Sequence, residues 1–260
     1  MTARLLALDA GNSRLKWAVL DTDRVRQSDG DAAAPFPWLA VGALTYDELP
    51  QLPVLVQQAG PVTACFGVNV AGDRATAAIR QALAATGVAP VWLNATVAAG
   101  DLKNGYLPPE SLGADRWAAL RAARERTAEA ALVVSAGSAL TVDALSAAGQ
   151  FLGGIILPGM QMMRHALAHA TAGVGMQHGE VRTWPNTTAD AVETGLIAAC
   201  TGAIKTLYGR LEKTAAPTPR IFVTGGDAVR LAAFLSLNAR IIPGLVLEGV
   251  YYLSQEKPPT

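Results

Sequence analysis

The sequence predicts an α/β protein built from two related halves. Three observations carry that prediction. An apolar run leading into an Ala-Gly turn occurs twice, as LLALDAGNSRLK at residues 5–16 and ALVVSAGSALTV at residues 131–142. In each copy the four apolar residues read as a buried strand, and the stretch beyond the turn reads as its hairpin partner. Strand and helix patterns then alternate, the rhythm of an α/β domain. Finally, 260 residues with 51% hydrophobic content can fill either one large core or two modest ones. A glycine in such a turn lets backbone approach a bound group, and successive turn N–H groups can cradle an anion such as phosphate. The repeated turn therefore predicts two domains facing each other across a nucleotide.

The elements follow in order along the chain. Residues 4–9 and 14–20 form the first hairpin. Residues 27–37, small, polar and proline-bearing, read as a loop, and 38–44 as a strand. A helix over 46–58 is disturbed by Pro50 and Pro53. Strand 62–68, helix 73–85 and strand 88–93 complete the first half. The polar, Pro/Gly-bearing stretch 101–111 reads as a crossing, which sets the domains at 1–111 and 112–260. A helix over 113–126 turns Leu120 and its alanines inward. After the second hairpin come strand 150–157 and a helix from the Pro-Gly pair at 158–159 through His169. An Ala-rich helix over 188–212, strand 220–224, helix 228–237, short strand 239–242 and helix 245–253 follow.

Composition narrows the function classes. Lys and Arg number 21 and Asp and Glu 21, so the formal net charge is zero and no basic stripe for nucleic acid is present. Cys65 and Cys200 stand far apart among apolar or small residues and read as buried reduced thiols. Asp9 stands where a signal peptide needs an uninterrupted apolar run. The most apolar stretch, 151–163, is broken by Gly153, Gly154, Pro158 and Gly159. These features predict a soluble, cytoplasmic protein with no membrane partner. His165 and His169 have a zinc-ligand spacing but lack an intervening Glu and a third ligand, so they read as a partly buried helix face. Neither a GxxxxGK[ST] phosphate loop nor a G-x-S-x-G nucleophile turn occurs.

Several residues could carry chemistry, and each has a plainer alternative. Asp9 ends a buried strand beside the first turn, where a carboxylate can hold Mg²⁺ or simply cap the turn. Lys16, on the outgoing strand, can reach a phosphate or serve as an exposed strand lysine. Gly225-Gly226 sits between a strand and a helix, open either to a base or ribose or to a simple chain reversal. Asp115, at a helix start after Gly113-Ala114, can orient and deprotonate an alcohol, or favour the helix dipole as acids there commonly do. Arg116 beside it can grip a carboxylate through its planar fork or pair on the surface.

Together these pieces resemble the type III pantothenate kinases, of the acetate kinase, sugar kinase, Hsp70 and actin superfamily, from Leu5 to about Leu253. DAGNSRLK at 9–16 resembles the family's first phosphate motif, and LGADR at 112–116 its substrate and catalytic motif, with Tyr106 upstream. GGIILPGM at 153–160, TGGDA at 224–228 and PGLVLEGV at 243–250 resemble further family segments. The resemblance implies two duplicated ribonuclease-H-like domains with a nucleotide cleft between them. It also implies ATP- and Mg²⁺-dependent phosphorylation of pantothenate. Asp115 would be the general base. Tyr106, Gly113, Ala114, Asp115 and Arg116 would line the pantothenate pocket, with Arg116 near the carboxylate end. Thr188 would contact substrate from the partner subunit of a homodimer with composite sites. Asp9, Ala10, Gly11, Asn12, Ser13, Arg14, Leu15 and Lys16 would bind ATP phosphates, with Mg²⁺ held by Asp9 through phosphates or water. Ser138, Gly225 and Gly226 would also contact ATP.

One segment departs from the family pattern. The second phosphate motif usually opens with an Asp that holds a monovalent cation, K⁺ or NH₄⁺, and continues with a Thr. Here it reads SAGSALTVD, with Ser135 and Ser138 at those positions. Ser138 keeps the hydroxyl, whereas Ser135 loses a full negative charge, which implies weakened or lost cation dependence unless Asp143 compensates. Two competing readings are a regulatory nucleotide-binding protein that has lost catalysis, and a kinase for another small hydroxy acid or sugar. Asp9, Lys16, Asp115 and Arg116 weigh against the first, and Tyr106 with LGADR against the second.

Overall fold

The computed structural model describes residues 4–27, 34–171, 173–174 and 176–256. Two five-stranded sheets carry the chain, and both follow one plan. In the first, β1 (Arg4–Ala10) turns into antiparallel β2 (Leu15–Asp21). A short helix, α1 (Thr22–Gln27), precedes β3 (Trp38–Leu44), which lies outside β2. A 3-10 turn over Tyr46–Gln51 runs into α2 (Leu52–Gln58). β4 (Ala64–Asn69) then returns parallel to β1, and α3 (Asp73–Leu83) leads to β5 (Pro90–Trp92), parallel to β4.

After α4 (Ala114–Arg126) the plan repeats. β6 (Ala131–Ala136) and β7 (Ala139–Leu145) form the hairpin, and β8 (Phe151–Pro158) lies outside β7. Helices α5 (Met160–Ala170) and α6 (Thr188–Glu212) lead to β9 (Arg220–Thr224), parallel to β6. α7 (Ala228–Leu235) and β10 (Ala239–Ile241), parallel to β9, follow, and then α8 (Leu245–Ser254). The orders β3-β2-β1-β4-β5 and β8-β7-β6-β9-β10 are the same plan. The duplication expected from two turns extends to the whole of both sheets.

Strand alternation sets what each sheet covers. Leu6, Leu8 and Ala10 of β1 pack with Leu52, Val56, Ile79 and Leu83 from α2 and α3. Leu5, Ala7 and Asp9 point to the opposite face, which α4 and α8 cover. Those two helices cross closely at Gly249, where a Cβ would overlap the Ala118 carbonyl. Arg126 and Glu248 clasp them together through two hydrogen bonds of 2.8 Å. In the second sheet Leu132, Val134, Leu140, Val142, Ile221 and Val223 pack against α6 and α7. Ser135, Thr141 and Thr224, side by side in register, occupy the other face.

Two compact units result. The first comprises residues 1–128, 149–151 and 244–260, and the second 129–148 and 152–243. This division differs from the expected 1–111 and 112–260, because α4 and α8 bury their apolar surface on the first sheet. The expected helix over 46–58 is a 3-10 turn and a helix instead, with Pro53 in the first turn of α2, where its missing N–H costs nothing. Helix α1 was not expected, and residues 28–33 of the anticipated 27–37 loop lie outside the described residues. His165 and His169 are exposed rather than partly buried, since the inward face of α5 is taken by Met160 and Arg164. Among the described residues no cluster of three or more metal-ligating side chains occurs. Both cysteines are buried free thiols. Burial pushes Cys65 up to about 12, and burial with the Asp227 charge pushes Cys200 to about 11, which makes them unreactive. No described helix is long and apolar enough to cross a membrane.

Candidate active site

The β1–β2 turn presents the first cluster. Asp9 and Lys16 face each other directly across the hairpin, and the Lys16 ammonium donates to the Asp9 carboxylate at 2.9 Å. The Asp9 side chain is 6% exposed and that of Lys16 43%. A pair this open on one side contributes at most about 1 kcal/mol, whereas enclosing a carboxylate costs several. Asp9 therefore costs more stability than its pairing returns, which makes it a candidate functional charge. Beyond it Gly11 donates its N–H to the Arg14 carbonyl at 3.2 Å, closing a tight turn whose Asn12, Ser13 and Arg14 are exposed. This donor set fits Mg²⁺ carried by a nucleotide. That ion takes one or two carboxylates together with phosphate and water rather than an all-protein cage. Lys16, half open to solvent, is free to exchange Asp9 for a phosphate.

A second cluster lies in the same unit, where LGADR opens α4. Gly113 is the N-cap and Asp115 stands in the first turn, where the helix dipole favours a negative charge. The Arg116 backbone N–H donates to Asp115 Oδ1 at 2.8 Å, folding the carboxylate back over Gly113. A Cβ on Gly113 would stand 2.7 Å from that oxygen. Arg116 is buried, at 5% exposure. Its guanidinium donates to the Tyr106 hydroxyl at 2.7 Å and lies 5.2 Å and 5.7 Å from the Tyr106 and Phe151 ring centres. Those rings stack at 5.4 Å. Arg116 is thus a buried cation that fixes Tyr106.

In the second unit the β6–β7 turn, the Pro-Gly pair at 158–159 and the glycine pair at 225–226 converge. Gly159 donates its N–H to the Ser138 carbonyl at 2.9 Å, and Asp227 donates to that of Ala136 at 3.1 Å. Any Cβ on Gly159 would overlap the Gly137 carbonyl, and one on Gly225, at φ 101°, would overlap that of Ala136. These two glycines are clamps on the β6–β7 turn. Gly226 has nothing within 4 Å of a Cβ, and Gly137 meets only its own turn at 3.8 Å, so there the backbone is open to a bound group. The pair at 225–226 divides accordingly, Gly225 shaping the turn and Gly226 leaving access. Ser135 lies between Thr224 and Thr141 in a row of hydroxyls, and Thr141 Oγ1 is buried without a hydrogen-bond partner.

Thr188, the first residue of α6, is exposed and lines a cavity of about 140 Å³ with Gly173, Val174, Gln177, Ala189 and Val192. The segment before it is fastened to α6. Asp190 accepts the Glu180 N–H at 2.7 Å, and Thr194 accepts that of Arg182 at 3.1 Å.

Comparison with known proteins decides the family. The family model described as type III pantothenate kinase matches residues 5–210. A type III pantothenate kinase of Thiobacillus denitrificans is 40% identical over 96% of this chain and 96% of its own. The chain belongs to the type III pantothenate kinase family. Two solved structures show the fold. A conserved Campylobacter jejuni protein assigned to a Baf family of transcriptional activators has a TM-score of 0.59 at 24% identity, covering 95% of this chain and 96% of its own. A Sinorhizobium meliloti protein described as a 2-dehydro-3-deoxygalactonokinase has a TM-score of 0.59 at 11% identity, covering 96% and 98%.

For this family member, sequence reasoning missed three supports of the site. Asn104 accepts the Tyr106 N–H at 2.9 Å and donates to the Ala95 and Pro109 carbonyls at 3.2 and 2.9 Å, shaping the loop that carries Tyr106. Its place two residues before Tyr106, next to Gly105, was the available signal. Phe151, from the far side of the second hairpin, gave none. Asp227 follows the open Gly226, and burial raises its carboxyl above the usual range. The D of TGGDA could have pointed to it. One test of the Asp115 geometry follows from Gly113. Its φ of −56° suits alanine, so Gly113→Ala leaves stability within about 1 kcal/mol. The new methyl displaces the carboxylate, and steady-state kinetics are expected to show turnover reduced about tenfold with the ATP KM unchanged.

Proposed function

We propose that this chain transfers the γ-phosphoryl group of ATP to the primary hydroxyl of pantothenate, giving 4′-phosphopantothenate, the first step towards coenzyme A. The observation that carries this reading is the LGADR helix start. It sets the Asp115 carboxylate next to the Arg116–Tyr106 stack, in a chain 40% identical to a type III pantothenate kinase. Asp115 accepts the proton of the attacking hydroxyl, a role that a held, half-exposed carboxylate suits. Tyr106, Gly113, Ala114 and Arg116 line the pantothenate pocket, with Arg116 towards its carboxylate. The turn from Asp9 to Lys16 binds ATP phosphates, Ser138 also contacts ATP, and the Gly225-Gly226 turn takes its base or ribose. Mg²⁺, held by Asp9 directly or through water, offsets phosphate charge when bound. Thr188 reaches the substrate of a partner copy in a homodimer, and its exposure at the start of α6 supports that role.

Ser135 sets the cation requirement. A neutral hydroxyl between Thr141 and Thr224 replaces a charge, so a monovalent cation gains less there. ADP release with ATP, Mg²⁺ and pantothenate, compared in sodium and potassium buffers, tests both statements. Pantothenate-dependent turnover in both buffers is expected, and Ser135→Asp is expected to make turnover depend on potassium. Strict dependence of the unchanged protein on millimolar K⁺ would overturn the Ser135 reading. Absence of pantothenate-dependent turnover with ATP still bound would overturn the kinase reading.

A further inference from the structure

Beside the β1–β2 turn stands a residue with no role so far. Tyr46, the first residue of the 3-10 turn after β3, donates its phenolic hydrogen to the Gly11 carbonyl at 2.7 Å. Its ring packs against the core of the first sheet. Burial, and then the charge of Asp9, raises its pKa, so the phenol remains a donor and lies within electrostatic reach of that carboxylate.

The Gly11–Asn12 peptide is trans. In a trans peptide the C=O and the next N–H point in opposite directions. Fastening the Gly11 carbonyl to Tyr46 therefore turns the Asn12 N–H away from the tyrosine. Gly11's own N–H is engaged by Arg14. Asn12 is exposed, and its N–H forms no hydrogen bond among the described residues. A donor that is fixed, outward and unused, next to Asp9 and Lys16, has the chemistry of a phosphate contact.

We propose that Tyr46 is a positioning residue for the nucleotide, clamping Gly11 so that the Asn12 N–H is presented to a phosphate oxygen. This rests on the nucleotide-binding part of the kinase reading and not on the identity of the alcohol. Without the clamp the turn samples other peptide orientations, and binding must order it.

Tyr46→Phe keeps the ring and removes only the hydroxyl. Calorimetric titration of the full chain with a non-hydrolysable ATP analogue and Mg²⁺ is expected to show affinity weakened about five- to tenfold. The Asn12 amide resonance of the unchanged protein is expected to shift on adding the analogue, and to shift less in the variant. The KM for pantothenate is expected to stay within about twofold. Analogue affinity within about twofold of the unchanged protein would overturn the proposal, whatever happens to the melting temperature. An unchanged protein that binds the analogue but does not phosphorylate pantothenate would sink the proposed substrate and leave the Tyr46 test standing. One that binds no analogue would sink both.

Discussion

Replacing Asp115 with Asn is expected to lower pantothenate phosphorylation about a thousandfold while ATP affinity is kept, a barrier increase of about 4 kcal/mol. The two side chains have the same shape, and the amide oxygen can still accept the Arg116 N–H that Asp115 accepts at 2.8 Å. The start of α4, the fit over Gly113 and the Tyr106 stack are therefore preserved. What the amide cannot do is take a proton from an attacking alcohol. The comparison to make is kcat from coupled ADP release against analogue affinity from direct titration. Turnover within about tenfold of the unchanged protein would remove Asp115 as base, since positioned bases contribute a hundredfold or more.

Glu193→Gln is expected to destabilise the second unit by about 3–5 kcal/mol. Glu193 on α6 is fully buried and is contacted by Arg164 of α5, itself 1% exposed, and by Arg230 of α7. One carboxylate thus joins three helices. Removing its charge leaves the Arg164 guanidinium enclosed without a counter-charge, and that uncompensated ion accounts for the cost. Arg164 also donates to the Gln177 carbonyl at 3.4 Å, so the segment before Thr188 loosens too. Thermal unfolding is expected to shift down by roughly 10 °C. Arg230→Ala, at a position one-third open to water, is expected to cost less. A Glu193→Gln protein with an unchanged melting temperature would show that the helices are held by apolar packing alone.

The duplicated hairpins were legible because four apolar residues before a small-residue turn is a local pattern, and local patterns survive folding. Helix α6 and strand β3 fell on the expected residues for the same reason. The course of 46–58 was not legible, because the effect of a proline depends on which turn of a helix receives it. The two units divide the chain elsewhere than expected because α4 and α8 are adjacent only in space, brought together at Ala118 and Gly249. The motif residues Asp9, Lys16 and Asp115 could be named from the chain. What holds them could not, since Phe151 behind Tyr106 and Tyr46 beside Gly11 arrive from distant segments.

The return of α8 to the first unit has a consequence for biogenesis. The strands of the first sheet are all made by Trp92, but the face bearing Leu5 and Ala7 lacks part of its cover until Leu245–Ser254 has been synthesised. The second unit, finished by Pro243, has every segment it needs earlier. The earlier-encoded unit is therefore completed only after the later-encoded one, and until then part of its apolar surface is open to chaperones or to misassociation.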